Sequence, residues 1–204
     1  MEIQPSNLNW RSPLTPITRK IERIICHHPA GGTMQSNHNH HRNVLGWNGL
    51  GYSYWIEPNG TIYEVRGRNI GAHSGASWNG ISYGLCFEGN FETQLMTNAQ
   101  LASGILLCAR LCRQEGLDAR AIVGHGTRFG GTSNTICPGK NFRMAELRAG
   151  TEEALKPQPA PNPAAGKIYR VQVGAFRDRV NAQKLVQQLK DKGFSGFIWE
   201  DDVQ

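Results

Sequence analysis

The sequence predicts an α/β fold, a central mixed β-sheet flanked by helices, followed by a small β-α-β unit at the C-terminus. Three observations carry this. Short β-rich runs and helical patterns are interspersed through the first 150 residues, the mark of a sheet with helices packed against it. The stretch "KPQPAPNPAAG", residues 156–166, then places Pro157, Pro159, Pro161 and Pro163 at alternate positions. Proline fixes φ and removes donors, so an extended, semi-rigid linker is expected there. The remaining residues show strand, amphipathic helix and strand. The expected organisation is a larger domain at 1–150, a linker at 151–166 and a small unit at 167–204.

Each element has a local reason. "ERIICHH" reads as a short buried strand that ends on histidine. "SYWIEPNGTIYEV" reads as a hairpin, two β-rich runs around the turn residues Pro58, Asn59 and Gly60. "ISYGLCFEG" is a further strand. "TNAQLASGILLCARLCRQEG" reads as a helix: Thr97 and Gln100 fit a capping box, Leu101, Ile105, Cys108 and Cys112 share one face, and Gly116 stops it. "AIVGH" is a strand that ends at His125, and "PGKNFRMAELR" a final helix. In the tail, Tyr169, Val171 and Val173 alternate with polar residues. Ala182, Leu185, Val186 and Leu189 have helical core spacing, Gly193 is a stop, and "FSGFIWE" is the second strand.

Composition narrows the function. Apolar residues are 39% of the chain and charged residues 19%, enough to bury a core. No run reaches the roughly 18 apolar residues of a membrane span, so no membrane span is expected. The N-terminal segment has no apolar stretch of the secretory type. The expectation is synthesis in the cytoplasm and release by lysis or holin-type export. The net charge of +6 favours a polyanionic partner, but the basic residues are scattered, which argues against nucleic acid. Five widely spaced cysteines make a poor disulfide framework, and Cys108 and Cys112 read as buried thiols.

The chemistry concentrates in "GHGTRFGGTSNTICPGK", residues 124–140. His125 closes an apolar run, and Cys137 precedes Pro138 at the expected start of a helix, where a thiol's pKa would fall. A catalytic zinc site takes three protein ligands. His27, which also closes an apolar run before a turn, is the best third ligand, while His28 points to the opposite face of its strand. Two readings compete: a cysteine nucleophile at Cys137 with His125 as its base, and a metal-binding tract at His38, His40 and His41. That tract lies in a polar stretch and reads better as a solvated surface. HExxH, GxSxG and phosphate-loop signatures are absent.

Five segments, "IICHHPAGG", "GLGYSYWIEPNGTIYEVR", "IGAHSGASWNGISYGLCFEGNF", "MTNAQ" and "IVGHGTRFGGTSNTICPGKNF", resemble in order the type-2 N-acetylmuramoyl-L-alanine amidases. That family includes phage endolysins, autolysins and peptidoglycan recognition proteins. The resemblance covers roughly residues 20–146. It implies a peptidoglycan-recognition-protein-like sheet and Zn2+ held by His27, His125 and Cys137. It implies Tyr52 and Thr135 as catalytic residues beside the metal, and His73, Trp78 and Asn79 as contacts to the stem peptide of bacterial peptidoglycan. The implied reaction is hydrolysis of the amide between N-acetylmuramic acid and L-alanine. The alternative is a non-catalytic recognition module, but non-catalytic relatives lose the cysteine that this chain keeps. Three positions depart from the family. Ser53 replaces a histidine or asparagine, "GHGTR" replaces "GHRD" so that Arg128 would supply the basic group, and Cys86 stands where some relatives carry a glutamate. The tail resembles the first half of a SPOR domain, a family that binds glycan strands. A half-module is expected to gain order by self-association or by binding glycan.

Overall fold

The structure is a computed structural model that describes residues 1–127, 134–157, 172–192, 196–198 and 200. The chain divides into two compact units, Met1–Gln158 and Pro159–Gln204. The first is built on a six-stranded sheet. In chain order its strands are β1 (Gln4–Pro5), β2 (Arg23–His27), β3 (Tyr54–Ile56), β4 (Ile62–Glu64), β5 (Ser82–Phe87) and β6 (Ile122–Gly124), and the sheet order is β1-β4-β3-β5-β2-β6. Only β3 and β4 pair antiparallel, around the expected Pro58–Gly60 turn. The other neighbours are parallel, so the sheet is mixed, as expected.

β5 and β2 are buried along nearly their whole length, as a strand covered on both faces must be. Alternation then sorts their side chains. Ile24, Cys26, Tyr83, Leu85 and Phe87 face one core, shared with α3 (Asn98–Glu115) and α4 (Met144–Leu155). Cys86 and Trp55 face a smaller second cluster with Leu50 and Val65. His27 pairs with Cys86 and Ile25 with Gly84 in the β2–β5 ladder, which carries His27, Gly84 and Cys86 to that second face.

α3 is the expected helix. Thr97 and Gln100 form the reciprocal capping box, and Gly116 takes the left-handed conformation at φ +67° that only glycine adopts without strain. The final helix differs from expectation. It starts at Met144 rather than just after Cys137, with Arg143 as its cap. It also continues to Leu155, and Thr151 is fully buried, so residues 151–155 are helical rather than linker. α1 (Met34–Asn43) and the single turn α2 (Ala76–Asn79) were not expected as regular elements of the core. A short 3-10 turn, Ala119–Ala121, leads into β6.

In the second unit, α5 (Arg179–Asp191) is the helix expected from the apolar spacing. Asp178 caps it by accepting from the backbone N–H groups of Val180 and Asn181. Ala182, Leu185, Val186 and Leu189 are half-buried, while Val173, Phe176, Val180 and Phe197 are exposed. Tyr169, Val171 and Gly193 lie outside the described residues, and the described parts of the flanking segments, 172–176 and 196–198, form no strand. No helix among the described residues is long and apolar enough to cross a membrane.

Candidate metal centre

Parallel pairing of β2 with β6 builds the site. Cys26 is in register with Gly124, and the backbone N–H of His125 donates to the Cys26 carbonyl at 3.2 Å. The next residues, His27 and His125, therefore emerge side by side at the carboxyl ends of adjacent strands, with ring centroids 4.6 Å apart. Cys137 arrives from the loop that follows. Its carbonyl accepts from Gly126 N–H at 2.7 Å, and its Sγ accepts from His28 N–H at 3.4 Å. A Cβ at Gly126 would overlap the Thr135 carbonyl, so glycine is needed for this close return of the chain.

His27, His125 and Cys137 offer one nitrogen, one nitrogen and one sulfur, all within 4.8 Å of one another. His27 Nδ1 is 3.7 Å from Cys137 Sγ. Bonds of about 2.0–2.1 Å to nitrogen and 2.3 Å to sulfur at tetrahedral angles imply about 3.6 Å between such atoms, so the donor set fits zinc. Among the described residues no other group of three or more such side chains lies close enough to share an ion.

Electrostatics agree in part. Burial, with His73, His125 and His28 nearby, holds His27 well below its ordinary pKa, and burial also lowers His125. Neutral imidazole is the form that binds metal. Cys137 does not have the lowered pKa expected of a helix start. Burial pushes it up to about 11, only partly offset by the His28 N–H that its sulfur accepts, and α4 begins seven residues further on. A metal ion must therefore displace the thiol proton, and a free thiolate nucleophile is disfavoured.

Tyr52 stands beside His27, with ring centroids 5.2 Å apart. Burial raises its pKa well above the ordinary value, helped by the nearby Cys86 and Cys137. Thr135 Oγ1 accepts from Cys137 N–H at 3.2 Å, so this hydroxyl braces the ligand loop. Ser53 is fully buried and its hydroxyl accepts from Gly84 N–H, binding β5 rather than facing the metal centre. Arg128 lies outside the described residues.

The three residues expected to touch a stem peptide lie in the segment 73–79 that leads into β5. His73 is buried, with Nδ1 3.1 Å from Nε2 of His27. Asn79 spends its Oδ1 on the backbone N–H groups of His73 and Ser74, at 3.0 and 2.9 Å. Trp78 packs under the guanidinium of Arg23, at the opposite end of β2 from His27.

Residues with no motif hold the segment that carries Tyr52. His38 Nδ1 accepts from Leu50 N–H, and His41 Nδ1 accepts from Gly51 N–H, both at 3.2 Å. Arg66 donates to the carbonyls of Leu50, Gly49 and Ile70. The histidine tract is thus largely a clamp, not a solvated surface: His38 is fully buried and only His40 is exposed. The helical spacing of His38 and His41 was the available signal.

Residues 17–140 match the family model described as N-acetylmuramoyl-L-alanine amidase. The chain belongs to this amidase family. Residues 155–202 match the SPOR domain model. Peptidoglycan-recognition protein SC2 of Drosophila melanogaster is 32% identical over 140 residues, which cover 63% of this chain and 73% of that protein. The solved endolysin amidase LysCS from Clostridium intestinale aligns with a TM-score of 0.64 at 30% identity, over 72% of this chain and 93% of its own. The ectodomains of peptidoglycan recognition proteins LCa and LCx, solved with tracheal cytotoxin, align at 0.58 and 26% identity, over 67% of this chain and 87% of theirs. Family and fold together make the chain a peptidoglycan amidase or recognition protein.

Proposed function

We propose that the chain is a zinc-dependent amidase that hydrolyses the bond between N-acetylmuramic acid and L-alanine in bacterial peptidoglycan. The observation that carries this reading is the convergence of His27, His125 and Cys137, three donors of zinc-binding type, beside the half-buried Tyr52. Zinc bound there would supply an activated water and a Lewis acid for the scissile carbonyl. The protein's own groups do the rest. Tyr52, kept protonated by its raised pKa, remains a hydrogen-bond donor at neutral pH and can donate to the developing oxyanion. Thr135 holds Cys137 in place through the Cys137 N–H, and its hydroxyl would be a second donor for the same oxygen. The clamp of His38, His41 and Arg66 keeps the Tyr52 segment from moving, so its donor is preorganised.

The SPOR match supports glycan strands as the partner of the C-terminal unit, and the exposed Val173, Phe176, Val180 and Phe197 support self-association as a second use. The site of action would be the cell wall. A recognition protein without turnover is the rival reading, and the named relatives include proteins called peptidoglycan recognition proteins. The retained Cys137 favours catalysis.

The deciding experiment digests purified walls and scores new L-alanine N-termini, with metal content measured on the same sample. About one zinc per chain is expected, with activity lost to a chelator and restored by zinc. Cys137→Ser should lose most of the metal and nearly all turnover. Full activity in metal-free protein would overturn the zinc reading, and zinc binding without any amide cleavage would leave recognition as the function.

A further inference from the structure

His27 meets the ligand cluster through Nδ1. Its other nitrogen, Nε2, faces the interior, 3.1 Å from His73 Nδ1 and 3.5 Å from Ser74 Oγ. Two ring nitrogens at that distance share one proton. A ligand nitrogen presents a lone pair, so Nδ1 of His27 is bare and Nε2 carries the proton. It follows that His27 Nε2–H donates to His73 Nδ1. His73 is then protonated on Nε2, which faces the backbone of Ser82 without reaching a close hydrogen bond. One requirement at the metal edge thus sets both tautomers.

The seat of His73 is built from all sides. A Cβ at Gly84 would stand 2.6 Å from its Cγ, and one at Gly71 would overlap its Cδ2, so two glycines leave the recess that the ring fills. Asn79 anchors its backbone N–H. Ser74 Oγ lies 3.0 Å from the same Nδ1. A ring packed this way is placed to hold His27, and little of its surface remains exposed.

We propose that His73 is the positioning residue of the metal centre: its Nδ1 accepts the Nε2–H of His27 and so fixes the tautomer and rotation that present His27 Nδ1 as a ligand. Metal-bound histidines commonly donate their second N–H to a carboxylate, a carbonyl or water. Here a neutral imidazole takes that place, and Cys137 is left as the only ligand that contributes negative charge. The inference rests on the zinc reading above.

The test compares His73→Ala and His73→Leu with His73→Asn in the full chain. Alanine and leucine both remove the acceptor, one leaving room and the other keeping the volume, so a packing fault in either does not decide the result. Asparagine puts an acceptor oxygen where Nδ1 stood. Zinc affinity is read by competition with a chromophoric chelator, the ligand field by the visible spectrum after cobalt replacement, and folding by melting of the metal-free protein. The expected result is a 10- to 100-fold weaker zinc affinity and a changed cobalt spectrum for alanine and leucine, with asparagine within about threefold of the wild type. Unchanged affinity in the alanine and leucine variants overturns the proposal. So does equal weakening in all three, or an unchanged affinity combined with a raised KM for a muropeptide, which would make His73 a substrate contact. Failure of the wild type to bind zinc would instead strike the zinc reading itself.

Discussion

Gly84→Ala separates local propensity from tertiary geometry, because the two forecast opposite signs. Gly84 lies inside β5, outside the positive-φ glycines, so alanine meets no backbone strain there. By itself the change should gain about 0.5–1 kcal/mol by reducing the freedom of the unfolded chain. The structure puts His73 in the way. The new methyl would sit 2.6 Å from Cγ, 2.7 Å from Cδ2 and 2.9 Å from Nδ1 of a buried ring. Ordinary contact needs about 3.5 Å or more, so the ring must shift by close to 1 Å. It has little freedom to do so, because Gly71 lies against it and His27 is 3.1 Å away on the metal side. Overpacking of this kind costs about 1–3 kcal/mol; for a ring held on two sides the upper part of that range, about 2–3 kcal/mol, less a gain of about 1 leaves a net loss of about 1–2 kcal/mol. For a chain of this size that lowers the melting midpoint by about 2–8 °C. The assay is thermal unfolding followed by circular dichroism on metal-free protein, with zinc affinity measured in parallel. A midpoint equal to or above that of the wild type would refute the argument, since it would show that the recess above Gly84 has spare room.

Three further outcomes are expected. Tyr52→Phe should lower turnover about 10²-fold or more with zinc content unchanged, as measured by single-substrate kinetics and metal analysis; a loss under about threefold would make the tyrosine structural. His41→Ala should loosen the Tyr52 segment and flatten the acid limb of stability: burial and nearby His40, Arg66 and His38 lower the pKa of His41 to about 4, so the unfolded chain takes up a proton near pH 6.5 that the folded chain refuses. Wild-type stability should therefore be complete above about pH 6.5 and fall as pH drops toward 4, with a shallower slope in the variant by denaturant unfolding at stepped pH. Ending the chain at Lys156, just past α4, should preserve zinc content and hydrolysis of small soluble muropeptides while weakening retention on whole walls in a sedimentation assay. Loss of zinc in that truncation would show that the tail belongs to the metal domain.

Much of the site could be read from the chain because its donors sit where local patterns end. His27 and His125 each close an apolar run, and in a parallel sheet the residues after adjacent strands emerge together. The hairpin at Gly60 and the capping box of α3 are encoded within a few residues, so they too were legible. The clamp on Tyr52 was not. His38, His41 and Arg66 reach backbone groups 10 to 17 residues away, and no spacing rule announces such pairs. The start of α4 at Met144 was missed for a related reason: residues 138–143 are held by tertiary bonds, Asn141 N–H to Phe91 and Lys140 N–H to Glu92, which override the helical pattern.

By itself the sequence determined the order of strands and helices along the chain, the amidase family, and the three residues, His27, His125 and Cys137, that the fold brings together. Those depend on residue type, periodicity and motif, which are local. Only the tertiary structure decided which side of the sheet each residue serves. Nothing in the row of letters says what His73 and Asn79 pack against; β5 brings Gly84 beneath one, and the 73–74 turn sits on the other. The physical reason is register: a strand's neighbours are set by hydrogen bonds to distant segments, and a ring faces metal or interior according to which of those neighbours is small enough to let it in.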